Sequence, residues 1–323
     1  MSYHATVRDV YREAATQPSA NLCCVPQARR YLPGLNVPPI MYEMNYGCGT
    51  TIHLQDMIAN QRVLYVGVGG GLEALQLAYF TRRPGGVVAV DPVAEMRQAA
   101  RANLECAAKT NDWFDPSFVT LVDGDALNLP VERNSVDLAA QNCLFNIFKT
   151  GGDLEQALAE MHRVLDNGGR LVMSDPITPR PLPVALSQDE VLRAQCISGC
   201  LMLEEYLEKI SDAGFGAIEV RSRRPYRMLD AVTYDLEDDL LLETVEVVAL
   251  QVPTPEDGVC IFTGCTAVYL GSDEEFDDGK GHCLPRNMPL PVCDKTAATL
   301  QALNRVDLHV TPATWHTQGS GCC

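Results

Sequence analysis

Between residues 61 and 222 the chain alternates short, continuous apolar runs with longer amphipathic stretches. Residues 62–67 (Arg-Val-Leu-Tyr-Val-Gly) read as a buried strand, and 71–80 carry helical spacing. The runs 87–91, 118–122, 136–140 and 170–174 predict four more strands. Helices are expected up to about residue 109 after the second strand and over 153–165, and Asn-Gly-Gly at 167–169 predicts a turn before the fifth strand. Strands alternating with helical segments imply βαβ units and a parallel sheet. The fold class expected is therefore α/β, a doubly wound, mostly parallel sheet, with ligands bound beyond the C-terminal ends of its strands. The flanks differ in texture. Residues 1–60 are irregular and carry cysteines and prolines, which suggests a lid-like segment. Residues 61–222 would form the sheet domain, and 223–323 a smaller mixed domain ending in a Gly-Cys-Cys tail.

Composition narrows the function classes. At 46% hydrophobic and 21% charged residues, the 323-residue chain is globular in character. Lys and Arg total 25 against 42 Asp and Glu, a net charge of −17, which argues against coating nucleic acid or an anionic membrane. The sequence contains no apolar stretch of roughly 18 residues, and its first residues lack the apolar core of a secretory signal, so a cytoplasmic location is expected. Thirteen cysteines cannot all pair within one chain. In a reducing compartment many would be thiols, packing residues or ligands for a soft element. The six histidines are scattered without metal-type spacing.

Val66-Gly-Val-Gly-Gly-Gly71 joins the first strand to the first helix, where glycines let the backbone approach a ligand and the helix N-terminus offers N–H donors. Asp91 ends the second strand about 20 residues on, where an acid can accept from ribose hydroxyls. These features suit a dinucleotide or S-adenosylmethionine alike. Asp123-Gly-Asp-Ala-Leu-Asn-Leu-Pro130 resembles the adenine-binding loop of class I S-adenosylmethionine-dependent methyltransferases, and His162-Arg-Val-Leu-Asp-Asn-Gly-Gly-Arg-Leu-Val172 resembles the same family's helix–turn–strand. The resemblance implies S-adenosyl-L-methionine as cofactor. Gly67 and Gly69 would clear space for its methionine part, Asp91 would take the ribose, and Asp125 and Ala126 the adenine. Asn142, after the fourth strand, would touch the methionine end.

Four cysteine segments extend the resemblance over most of the chain. They are Cys23-Cys24, Tyr46-Gly-Cys-Gly49, Gln195-Cys-Ile-Ser-Gly-Cys200, and Cys260 seven residues ahead of Ala267-Val-Tyr-Leu-Gly271. With Pro289-Leu-Pro-Val-Cys-Asp-Lys-Thr-Ala297 they look like the arsenite methyltransferase family. The resemblance implies methylation of trivalent arsenic held by the thiolates of Cys48, Cys196 and Cys260, with Cys265 a rival for the third place. It also implies a redox partnership of Cys24 with Cys48, and thioredoxin or glutathione as reductant. Trivalent arsenic is thiophilic in the manner of soft metals, and attack by its own lone pair needs no general base. Cys200, expected one helical turn after Cys196, Cys143 and Cys106 read as packing residues, while Cys283 and Cys293 stay open. Cys322-Cys323 reads equally as an arsenite-capturing arm or a plain tail. Two other functions remain: methyl transfer to a small organic substrate, and a thiol-based metal(loid)-binding protein.

Overall fold

The computed structural model describes residues 3–18, 22 and 31–317. Eight strands form the central sheet: β1 Val63–Val66, β2 Val87–Asp91, β3 Val119–Asp123, β4 Val136–Asn142, β5 Leu165–Ile177, β6 Ala217–Leu229, β7 Leu240–Leu250 and β8 Cys260–Phe262. Their spatial order is β3-β2-β1-β4-β5-β7-β6-β8. The first five are parallel, β7 runs antiparallel to both β5 and β6, and β8 is parallel to β6. The mostly parallel α/β sheet expected from the alternation is thus present, and it takes strands from beyond residue 222.

Side chains alternate between two buried faces, as the pleat requires. Val63, Tyr65 and Ala89 pack toward the helices Tyr3–Thr16, Leu72–Thr81 and Ala94–Ala108. Leu64, Val66 and Val90 pack toward Asp153–Val164 and Leu203–Asp212. Burial on both faces explains why the strands read as unbroken apolar runs.

Two local readings need correction. The Asn-Gly-Gly at 167–169 does not precede the fifth strand but lies within it. Pairing with β4 jumps from Val136↔Leu165 to Leu138↔Arg170, so these residues bulge out. The bulge is held by Gly168 N–H donating to the Gln251 carbonyl and Gln251 N–H to the Gly169 carbonyl, both at 2.8 Å. The fourth strand is longer than expected, and Asn142 is its last residue. Beyond β8, β9 Thr266–Tyr269 lies between β12 Leu290–Pro291 and β13 Leu308–Val310, beside a hairpin of β10 Glu275–Asp277 and β11 Cys283–Pro285. Helix Asp294–Ala302 covers this smaller unit.

Candidate active site

A cleft opens beyond the C-terminal ends of β1, β2 and β4. It encloses about 1030 Å³, its mouth included, and its walls carry Gly67, Gly69, Asp91, Asp125, Ala126 and Asn142. All six residues assigned from sequence to the methyl donor therefore meet in one place. Gly67 has φ +83°, and a Cβ there would meet no protein atom within 4 Å; it would take up cleft space. Asp91 is buried. Its two carboxylate oxygens accept from Val68 N–H (3.0 Å) and Val93 N–H (2.9 Å). Burial raises its pKa to about 6, against the pull of these N–H groups and of Arg97. A carboxylate oxygen has two lone-pair sites, so each can still accept a ribose hydroxyl. Asp125 is part-exposed and accepts from Leu127 N–H at 3.0 Å. The donor set and the glycine cradle fit a nucleoside with a polar tail.

Helix Tyr3–Thr16 roofs the cleft through His4, Val7, Arg8 and Tyr11. Arg8 sits 3.5 Å from Asp125 and Arg12 3.3 Å from Glu95. Tyr46 donates to the Ala14 carbonyl (2.9 Å), and the Tyr11 hydroxyl lies 3.9 Å from Cys196 Sγ.

The Tyr-Gly-Cys-Gly loop is fastened to the same cleft. Asn142 Oδ1 accepts from Cys48 N–H at 2.9 Å, and Asn142 Nδ2 donates to the Gly49 carbonyl at 2.9 Å. A Cβ on Gly47 would fall 2.4 Å from the Asn142 amide, and one on Gly49 2.1 Å from Ser174 Oγ. The two glycines are thus required by the close seat of Cys48 on β4 and β5. Cys48 itself is buried, with Thr244 Oγ1 donating to its sulfur at 3.4 Å and Ser174 Oγ 3.5 Å away.

Cys196 arrives from another segment and reaches the same place. It shares a buried cluster with Cys48, Cys143 and Cys200, and its thiol donates to the Cys143 carbonyl at 3.3 Å. The expected helical turn from Cys196 to Cys200 is absent. Helix Glu190–Ala194 ends before it, Cys196 has φ +59°, and Gly199 lies so close to the Asn146 carbonyl that a Cβ would approach to 1.6 Å. A left-handed residue cannot continue a right-handed helix.

Cys260 is not brought to this site. It pairs in register with Ala217, Ala217 with Leu250, and Leu250 with Arg170, four residues before Ser174. Three strand spacings also separate β8 from β5, which puts Cys260 roughly 20 Å from Cys48 at ordinary strand dimensions. Antiparallel β7 carries the chain away from the strand ends, which a residue offset in sequence does not reveal. Cys260 instead packs with Phe262 and Cys293, and Cys265 lies in a separate cluster beside Asp294. Cys106, expected in the core, is exposed on helix Ala94–Ala108. Cys24, Cys322 and Cys323 lie outside the described residues.

Sequence reasoning missed two buried acids. Glu73 accepts from Tyr65 OH, Thr51 Oγ1 and Asn142 Nδ2 and borders the cleft; burial raises its pKa. Its only signal was an acid in a mostly apolar helix. Asp175 accepts from Tyr206 OH at 2.7 Å and from Gln141 Nε2, and burial raises its pKa to about 7.

Comparison with known proteins is consistent with this geometry. A family described as "Methyltransferase domain" matches residues 64–173. The arsenite methyltransferase of Aquipseudomonas alcaligenes is 27% identical over 82% of this chain and 76% of its own length. The human arsenite methyltransferase is 29% identical over 53% of this chain, which spans only 44% of it. In fold, the chain resembles CrArsM, an arsenic(III) S-adenosylmethionine methyltransferase from Chlamydomonas reinhardtii. The TM-score is 0.59 at 23% identity, covering 91% of this chain and all of that one.

Proposed function

We propose that this chain, which belongs to the arsenite methyltransferase family of class I S-adenosylmethionine-dependent methyltransferases, methylates trivalent arsenic. The observation that carries the reading is the joining of two buried thiols to the donor cleft. Asn142 borders the cleft and holds the Cys48 loop, while the next residue, Cys143, accepts from the Cys196 thiol. Bound in the cleft, S-adenosylmethionine supplies an electrophilic methyl group, which the arsenic lone pair takes in a displacement that leaves S-adenosylhomocysteine.

The protein's residues position, charge and exclude. Asp91 accepts from the ribose, Asp125 from the adenine amino group, and Ala126 N–H faces a ring nitrogen. Gly67 and Gly69 leave room for the methionine part. Cys48 and Cys196 hold the arsenic, and the hydroxyls of Thr244 and Ser174 fix the Cys48 sulfur in place. Helix Tyr3–Thr16 keeps water from the reacting atoms. Positioning in a dry site supplies most of the acceleration such a displacement needs. Thioredoxin or glutathione would return the thiols to the reduced state, in keeping with a cytoplasmic site of action. Among the described residues no helix is long and apolar enough to cross a membrane.

The test is methyl transfer from labelled donor with and without arsenite, alongside a panel of small organic acceptors. Label should move only when arsenite is present. Transfer to an organic acceptor without arsenite would replace this reading.

A further inference from the structure

The geometry points to Cys143 as the third thiol ligand to arsenic, completing a site with Cys48 and Cys196. The inference rests on the arsenic-methylating function proposed above and changes its ligand set, because the structure places Cys260 at the far end of the sheet.

Cys143 follows the last residue of β4 and is buried in the cluster that holds Cys48 and Cys196. It also borders the donor cleft, as neither Cys196 nor Cys200 does. An arsenic atom bound through it therefore lies next to the methyl group it must take.

The backbone supports the assignment independently. Cys143 has φ +63° and Cys196 φ +59°. The other described non-glycine residues with positive φ are mostly asparagines, which tolerate that region; a cysteine does not gain from it. Conformations of this kind are strained for a residue with a Cβ and cluster at functional sites. Here the two strained cysteines are joined by the bond from the Cys196 thiol to the Cys143 carbonyl. Among the described residues no three His, Cys, Asp or Glu side chains already form a cage for an ion, so the proposed site requires the three side chains to turn toward the arsenic. Binding is a ligand exchange. Three As–S bonds form, three As–OH bonds break, and the three thiol protons leave in three waters, with no change of oxidation state.

The test is X-ray absorption spectroscopy at the arsenic edge on the full chain loaded with arsenite alone. The unaltered protein should show three sulfur neighbours. Cys143→Ser should show two and bind arsenite about a hundredfold more weakly, the scale of losing one intramolecular attachment. Cys200→Ser and Cys260→Ser should keep three. Three sulfurs in Cys143→Ser, or loss of one in Cys200→Ser or Cys260→Ser, would overturn the assignment. A second measurement needs no variant: arsenite should shield Cys143 of the unaltered protein, together with Cys48 and Cys196, from a small alkylating agent mapped by mass. Equal labelling of Cys143 with and without arsenite would contradict it. Failure of the unaltered protein to bind arsenite at all would remove the underlying function as well.

Discussion

Asp91 shows how one residue links electrostatics to binding. Its burial raises the pKa to about 6, and in the function proposed above its ionised form is the one that accepts from the ribose hydroxyls of the methyl donor. Donor affinity should therefore be full above about pH 6 and decline as pH falls below it, measured by calorimetry between pH 5 and 8. Asp91→Asn should bind the donor roughly tenfold to a hundredfold more weakly, the worth of a hydrogen bond to a charged group, and should lose that pH dependence. At the thiols, Cys48→Ser and Cys196→Ser should each lower arsenite methylation by about a hundredfold or more while donor binding stays intact, since a hydroxyl is a hard, mostly protonated ligand. Near-normal turnover in either variant would remove that residue from the site.

At the scale of elements, the parallel strands were legible because burial on both faces leaves unbroken apolar runs. The site segments were legible only in part. Cys48 and Cys196 stand in recognisable motifs, but the reason for the glycines beside them is tertiary. Gly199 abuts the Asn146 carbonyl and Gly49 abuts Ser174 Oγ, contacts made across more than 50 and 120 residues of chain. No local pattern encodes them. Gly199→Ala should destabilise the fold by about 1–3 kcal/mol, as overpacking of a tight contact does, read from a urea unfolding midpoint. It should also weaken arsenite binding by displacing Cys196. The failed helical reading of 196–200 has the same origin, because the local sequence tolerates a helical turn that the Asn146 contact forbids. Glu73 and Asp175 were hidden for a related reason: acids buried by distant partners look like any other acid in sequence.

At the scale of the molecule, strand direction decides which cysteines meet. The family resemblance put Cys260 with the other thiols; the antiparallel course of β7 sends it to the opposite end of the sheet. Helix Tyr3–Thr16 joins the donor and thiol halves from above, through Arg8 to Asp125 and Tyr11 toward Cys196. Its ion pairs are largely exposed, so Arg8→Ala with Arg12→Ala should raise the donor dissociation constant by only about fivefold or less, and less still at high salt. Asp175 ties pH to global stability. The folded carboxyl keeps its proton up to about pH 7, whereas the unfolded one loses it near 4. The native state binds the extra proton between these values. This contribution to stability is therefore full below about pH 4 and is lost as pH rises through about 7. Asp175→Asn should flatten that part of the stability–pH curve, followed by unfolding midpoints.

The function proposed above is the methylation of trivalent arsenic. Its most direct test is chromatographic speciation of arsenic over time, with purified protein, S-adenosylmethionine, arsenite and a reducing thiol. Methylated arsenicals should accumulate with one equivalent of S-adenosylhomocysteine per methyl group transferred, and Cys48→Ser should produce neither. Arsenite unchanged in the presence of a donor-binding protein would contradict the account.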